Sequence, residues 1–241
     1  MKLGFFVKTV MVLVILFTFQ DEAFPDARSY VWTYEYLTMP KGMWEVENYV
    51  TAKVPNMHKS NINTIEEQVE LEYGITDNWD VAIYQMYKFT NTKAKDSGRY
   101  AGFKVRTRYK FGRKDEFLLD PLIYLEYIRD PNFSKPNVIE AKLILAKDIG
   151  RLNLSYNQIV KRNLENEGKT NNEYAAGISY RLVSFLRVGL EAKGSFNEEK
   201  SYIGPTISWN ARKFWVALGP SFGLNRRSDD LNVRLIVGVP F

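Results

Sequence analysis

The run Tyr100-Ala-Gly-Phe-Lys-Val-Arg-Thr-Arg-Tyr-Lys-Phe111 divides by parity into two chemistries. Ala101, Phe103, Val105, Thr107, Tyr109 and Phe111 fall on one side; Lys104, Arg106, Arg108 and Lys110 fall on the other. Successive side chains of a β-strand point to opposite faces, so this stretch predicts a strand with one apolar and one strongly basic face. Four bases in a row cannot sit in a dry core without partners. They suit a hydrated lumen or a solvent face, and the opposite face is then free to meet lipid.

The same alternation recurs on both sides of this run. Ile65, Val69, Leu71 and Tyr73 oppose Glu66, Gln68, Glu70 and Glu72. Leu186, Val188, Leu190 and Ala192 oppose Arg187, Gly189, Glu191 and Lys193. Leu231, Val233, Leu235, Val237, Val239 and Phe241 oppose Asn232, Arg234, Ile236 and Gly238. From Trp44 onward the period of two predicts about twelve strands. They cover Trp44–Val54, Thr64–Tyr73, Trp79–Phe89, Tyr100–Phe111, Pro121–Arg129, Val138–Lys147, Leu152–Lys161, Glu173–Arg181, Leu186–Gly194, Ser201–Trp209, Phe214–Gly223 and Leu231–Phe241. No convincing amphipathic helix interrupts them.

The connections alternate in kind. Short turns lie at residues 74–78, 148–151, 182–185 and 210–213, and longer polar segments at 55–63, 90–99, 130–137, 162–172, 196–200 and 225–230. Outer-membrane barrels show this asymmetry, with short periplasmic turns and longer outer loops. Residues 112–120 break the rule, forming a long connection on the short side. Aromatic residues gather beside the turns, at Trp44, Tyr73, Trp79, Phe89, Tyr109, Phe111, Tyr180, Trp209 and Phe214, as interfacial girdles would. The pattern therefore predicts an all-β fold, a transmembrane antiparallel up-and-down β-barrel spanning residues 44–241.

Bulk properties agree with that class. The chain has 241 residues, 15% of them aromatic, and its mean hydropathy is −0.31, as expected for a barrel with an apolar wall and a polar lumen. The net charge of +5 is spread among interleaved acids and bases, so no nucleic-acid partner is expected. Cysteine is absent, which excludes a disulfide framework and thiol metal sites. Lys2 and Lys8 precede an apolar run from Thr9 to Phe19, followed by Gln20, Asp21 and Glu22. This describes a signal peptide over residues 1–27, with Ala23 and Ala27 as candidate cleavage positions, or else an uncleaved anchor. Residues 28–43 then form a periplasmic segment. There Tyr30, Trp32, Tyr34 and Tyr36 alternate with Val31, Thr33, Glu35 and Leu37, so it could plug the lumen, add a strand or lie along the rim.

Two resemblances follow. The run Leu231–Phe241, with Leu235, Val237, Val239 and the final Phe241, resembles the terminal strand of bacterial outer-membrane proteins. This implies a location in the bacterial outer membrane and recognition by the barrel-assembly machinery; Pro240 departs from the usual pattern. Pro40–Tyr49 and the hairpin at Tyr73–Val81 resemble outer-membrane channels of the phenol-degradation pathway type, over about a third of the chain.

The lumen carries two signs. Glu45, Glu47, Glu66, Glu70 and Glu72 come from the first two strands, and Lys104, Arg106, Arg108 and Lys110 from the fourth, with Asp80, Tyr84 and Lys88 between them. Facing stripes of this kind would set a field across a constriction; the same charges could instead pair and close a narrow barrel. The expected function is passive passage of small polar or amphiphilic solutes by a monomeric barrel in contact with outer-membrane lipid. No cofactor or metal site is expected, since one histidine and no cysteine leave only carboxylates as ligands. Two alternatives stay open: a lipid-modifying hydrolase at the outer rim using His58 with Ser60, and a closed structural or adhesion barrel. No nucleotide-binding or nucleophile-elbow motif is present.

Overall fold

The computed structural model describes residues 27–59, 63–92, 96–165, 168–211 and 213–241. The signal segment expected over residues 1–27 lies outside them except for Ala27.

Twelve antiparallel strands follow the chain: β1 Trp44–Val54, β2 Asn63–Thr76, β3 Trp79–Asn91, β4 Asp96–Lys110, β5 Asp120–Arg129, β6 Val138–Ile149, β7 Leu152–Asn163, β8 Thr170–Val183, β9 Leu186–Ser195, β10 Lys200–Asn210, β11 Trp215–Gly223 and β12 Leu231–Pro240. Each pairs with its neighbours in sequence, and β1 pairs with β12 to close the barrel. Closure leaves no strand edge exposed. At the seam, Trp44 and Phe241 exchange two backbone hydrogen bonds of 3.0 and 2.8 Å.

The strand count matches the periodicity. Several strands run farther than alternation alone marks, because ladder pairing continues through polar residues. At the loop end Asn63 pairs with Asn91, and Asn91 in turn with Asp96. The connections also divide as expected. The connections after β2, β6, β8 and β10 share one end of the barrel with the Trp44–Phe241 seam, here the turn end; residues 111–119, after β4, remain the long exception there. The other six connections form the loop end.

Parity separates two walls. Outside, Ile83, Val105, Leu125, Leu143, Leu190 and Leu218 form an exposed apolar belt. Aromatic residues flank it: Trp44, Trp79, Tyr109 and Trp209 toward the turn end, and Tyr87, Phe89 and Tyr100 toward the loop end. Glu67 departs from the apolar outer set. It lies opposite Tyr87 within the loop-end girdle and accepts a hydrogen bond from Asn48 Nδ2 at 3.2 Å. Inside, charged and hydroxyl side chains dominate, with two small apolar clusters: Leu122, Tyr124 and Ile144 in one, Val31, Trp215, Ala217 and Ile236 in the other. Val31 belongs to residues 27–43, which enter the barrel without forming a strand.

Candidate functional site

The interior is built from strand register. Across β2, β3 and β4, Glu72, Ala82 and Arg106 stand in one row, and Gly74, Asp80 and Arg108 in the next. The small Ala82 leaves the space through which Arg106 reaches across β3. Its Nη2 lies 2.8 Å from Glu70, 2.7 Å from Glu72 and 3.7 Å from Asp80. Arg108 Nε donates to both oxygens of Asp80 at 3.1 and 3.0 Å, and its Nη2 pairs with Glu72. Tyr49 donates to Glu70 at 2.8 Å. The Trp215 indole N–H donates to Glu45, in space that the absent side chain of Gly238 leaves open. Arg28, from the entering segment, lies 4.0 Å from Glu47.

The predicted lumen residues are therefore inside, and most are joined directly. Glu45, Glu47, Glu70, Glu72, Arg106 and Arg108 are buried. Glu66 pairs with Lys53 at 2.7 Å and Lys88 at 3.5 Å; Lys104 pairs with Glu126 at 3.1 Å; Lys110 Nζ stands 5.6 Å from the centre of the Tyr36 ring. Two facing stripes across open space are not what the geometry holds. Only β3 separates β2 from β4, so the acids and bases are near neighbours in the wall and pair along it. Oxygens of Glu47, Glu70 and Glu72 approach within 4.8 Å of one another, but Arg106 already bridges two of these carboxylates.

Residues 27–43 cross this interior. The segment leaves β1 at the turn end, where Gly42 donates to Gly74 O at 2.8 Å and Met39 N to Asp80 at 3.1 Å. Farther in, Ser29 donates through its backbone N and its Oγ to the Glu35 carboxylate, both at 2.7 Å, closing a loop whose tip is residues 30–34. That tip is bound by side chains of the far wall. Glu191 on β9 accepts from the backbone N–H groups of Val31, Trp32 and Thr33 at 2.9, 2.8 and 2.8 Å. Asn157 on β7 accepts from Tyr34 N at 2.6 Å and donates to Tyr34 O at 2.9 Å. The Tyr30 hydroxyl donates to Asn153 at 2.9 Å. A Cβ at Gly177 would stand 2.5 Å from the Tyr30 ring, and one at Gly219 would stand 2.6 Å from Val31, so both glycines make room for the tip.

The segment lies between two cavities. One, of about 310 Å³, has Trp32, Tyr34, Tyr49, Tyr84 and Tyr124 in its lining and reaches Glu198 and Lys200 at the loop end. Lys200 donates to Glu198 at 2.7 Å and holds that loop carboxyl below the ordinary range. The other, of about 260 Å³, lies toward the turn end and is lined by Ser29, Glu35 and Leu37 together with Asp120, Arg181 and Arg187.

No family profile matches the chain, and no curated protein sequence does. Solved barrels do. The KdgM porin, in complex with disordered oligogalacturonate, superposes with a TM-score of 0.53 at 8% identity, over 83% of this chain and 98% of its own. The NanC porin superposes with a TM-score of 0.53 at 10% identity, over 82% and 98%. The likeness is one of fold. Outer membrane phospholipase A from Escherichia coli matches at a TM-score of 0.46 and 10% identity, over 81% and 92%, too low to bear on catalysis. None of these matches supports the resemblance to phenol-degradation channels.

His58 is exposed in the connection after β1, where its backbone N donates to Asn56 Oδ1 at 2.9 Å. Ser60 lies outside the described residues. Among the described residues nothing is hydrogen-bonded to the imidazole, so no orienting group for a base is in place. Sequence reasoning missed Asn157 and Glu191 as anchors of the segment. Glu191 carries one signal: it is an inward acid between the basic Arg187 and Lys193 of its own strand.

Proposed function

We propose that this barrel spans a bacterial outer membrane as a monomer and passes small polar or amphiphilic solutes, with residues 27–43 as a plug between an outer and a periplasmic vestibule. Its main support is the course of that segment, which separates the two cavities and is held by hydrogen bonds rather than by a strand ladder. The apolar belt flanked by aromatic girdles supports membrane insertion, since tyrosine and tryptophan favour the interface. The even strand count puts both ends of the barrel domain on one side, the periplasmic one in outer-membrane barrels. Leu235, Val237, Val239 and Phe241 serve as the signal to the assembly machinery in this reading.

Planar-bilayer recordings test it. The refolded full chain should be silent or conduct in brief openings, and a variant lacking residues 24–42 should give discrete, long-lived steps. Silence from both, with each barrel shown folded by its heat-modifiable mobility on gels, would refute the channel.

A further inference from the structure

Register gathers three arginines at the turn end. Leu152 pairs with Tyr180, and just beyond that pair Arg181 N donates to Arg151 O at 2.9 Å. On its other side Arg181 stands directly opposite Arg187. Arg151, Arg181 and Arg187 therefore form one row across the start of β7, the end of β8 and the start of β9. Each is two residues along its strand from the row of Asn153, Ser179 and Gly189, whose Asn153 and Ser179 are buried inside the barrel. Parity thus turns all three arginines inward. Like charges directly opposite each other in a sheet repel.

Nothing in the protein offsets them. The three line one cavity of about 290 Å³, which shares Arg181 and Arg187 with the turn-end vestibule. The two acids of that cavity are taken by lysines. Asp148 pairs with Lys114 and accepts from Asn153 Nδ2 at 2.6 Å, and Asp115 pairs with Lys147 at 2.8 Å. In the adjoining vestibule Asp120 accepts from Asp115 N at 2.8 Å, and Glu35 accepts from Ser29. Among the described residues no carboxylate lies within ion-pair distance of Arg151, Arg181 or Arg187, and none of these side chains makes a hydrogen bond or a ring contact. The inward arginines Arg28, Arg106, Arg108 and Arg234, by contrast, all meet protein oxygens.

We infer that Arg151, Arg181 and Arg187 form a binding site for a phosphate monoester at the turn-end mouth of the barrel. Neighbouring strands lie about 4.8 Å apart, so the three stems stand side by side and their heads can close on one group in the cavity they share. The guanidinium fork matches phosphate oxygens two at a time. Three forks offer more N–H groups than the two oxygens of a carboxylate can accept. A monoester brings three terminal oxygens and nearly two negative charges, which relieve the repulsion along the row. The inward direction of the row favours a dissolved solute over a lipid headgroup, which lies outside the wall. The inference rests on the solute-passage reading and names its substrate class: small phosphorylated solutes.

Phosphorus NMR of the full chain in nonionic micelles tests it without passing through conductance, at about pH 8, where a monoester is doubly charged. Methyl phosphate is the probe, neutral trimethyl phosphate the control, and dimethyl phosphate the stand-in for the diester of a lipid headgroup. The methyl phosphate resonance should broaden saturably, the diester should bind more weakly, and the triester should not bind. An Arg181→Gln/Arg187→Gln variant that keeps its heat-modifiable mobility should bind the monoester about tenfold or more weakly. A Lys59→Gln/Lys169→Gln variant, which loses the same charge at the loop end, should bind it as the wild type does. Equal behaviour of monoester and triester with the wild type would overturn the site even if no variant folds. Unchanged binding by the folded arginine variant, or equal weakening by both variants, would overturn it too. A diester bound as tightly as the monoester would overturn the solute and give the site to lipid headgroups. Conductance by the truncated barrel without phosphate binding by the full chain would remove the site and leave the channel; binding by a barrel silent in both forms would do the reverse.

Discussion

Arg106 shows what a paired charge does inside a narrow barrel. Its guanidinium reaches two glutamates over an alanine, and all three charged side chains are buried. Removing one partner from such a group leaves the others uncompensated, at a cost of about 3–5 kcal/mol, whereas removing charge on both sides costs far less. Arg106→Met should therefore lower the stability of the refolded barrel to urea by that amount, and adding Glu72→Gln should restore a large part of it. A double variant no more stable than the single one would show that the network carries little energy. Inward placement of these residues was legible from parity, because a strand gives each side chain one of two directions. Their pairing was not, since it depends on which residue of β3 lies between β2 and β4.

At the scale of elements, the strands were legible and residues 27–43 were not. Alternation of Tyr30, Trp32, Tyr34 and Tyr36 with smaller residues is a strand signature, yet the segment joins no ladder. The backbone donors of Val31, Trp32, Thr33 and Tyr34 are satisfied by side chains of β7 and β9, more than a hundred residues away, and no local pattern names such partners. Glu191 should dominate its retention, since a charged acceptor contributes about 1.5–3 kcal/mol for each hydrogen bond. Glu191→Ala should free the segment in an intact barrel, read as protease cleavage within residues 27–43 and as long-lived conductance steps. Gly177→Val should act in the same direction by filling the space of the Tyr30 ring. Unchanged protease protection in both variants would show that the far wall does not hold the segment.

The whole molecule is a closed wall whose first and last strands meet. The seam joins Trp44 to Phe241, so Phe241 contributes backbone pairing as well as an exposed ring at the turn end. These two roles separate experimentally. Phe241→Ala keeps the backbone bonds and should leave refolding into detergent nearly unchanged, within about 1 kcal/mol as for most exposed positions. Assembled barrel recovered from cells should fall several-fold if the ring is read by the assembly machinery. Equal cellular yields would assign Phe241 to closure alone.

The Val31–Glu191 bond joins positions 160 residues apart, and the wall between them is complete only when β12 reaches β1. The part of the barrel chain made first must wait for the part made last. It is either wrapped by the closing sheet or threaded into a finished cylinder through one mouth. Wrapping makes the occupied interior a precondition of the seam and ties the speed of closure to a loop search of this length. Threading makes the occupant a late arrival that can leave by the way it came.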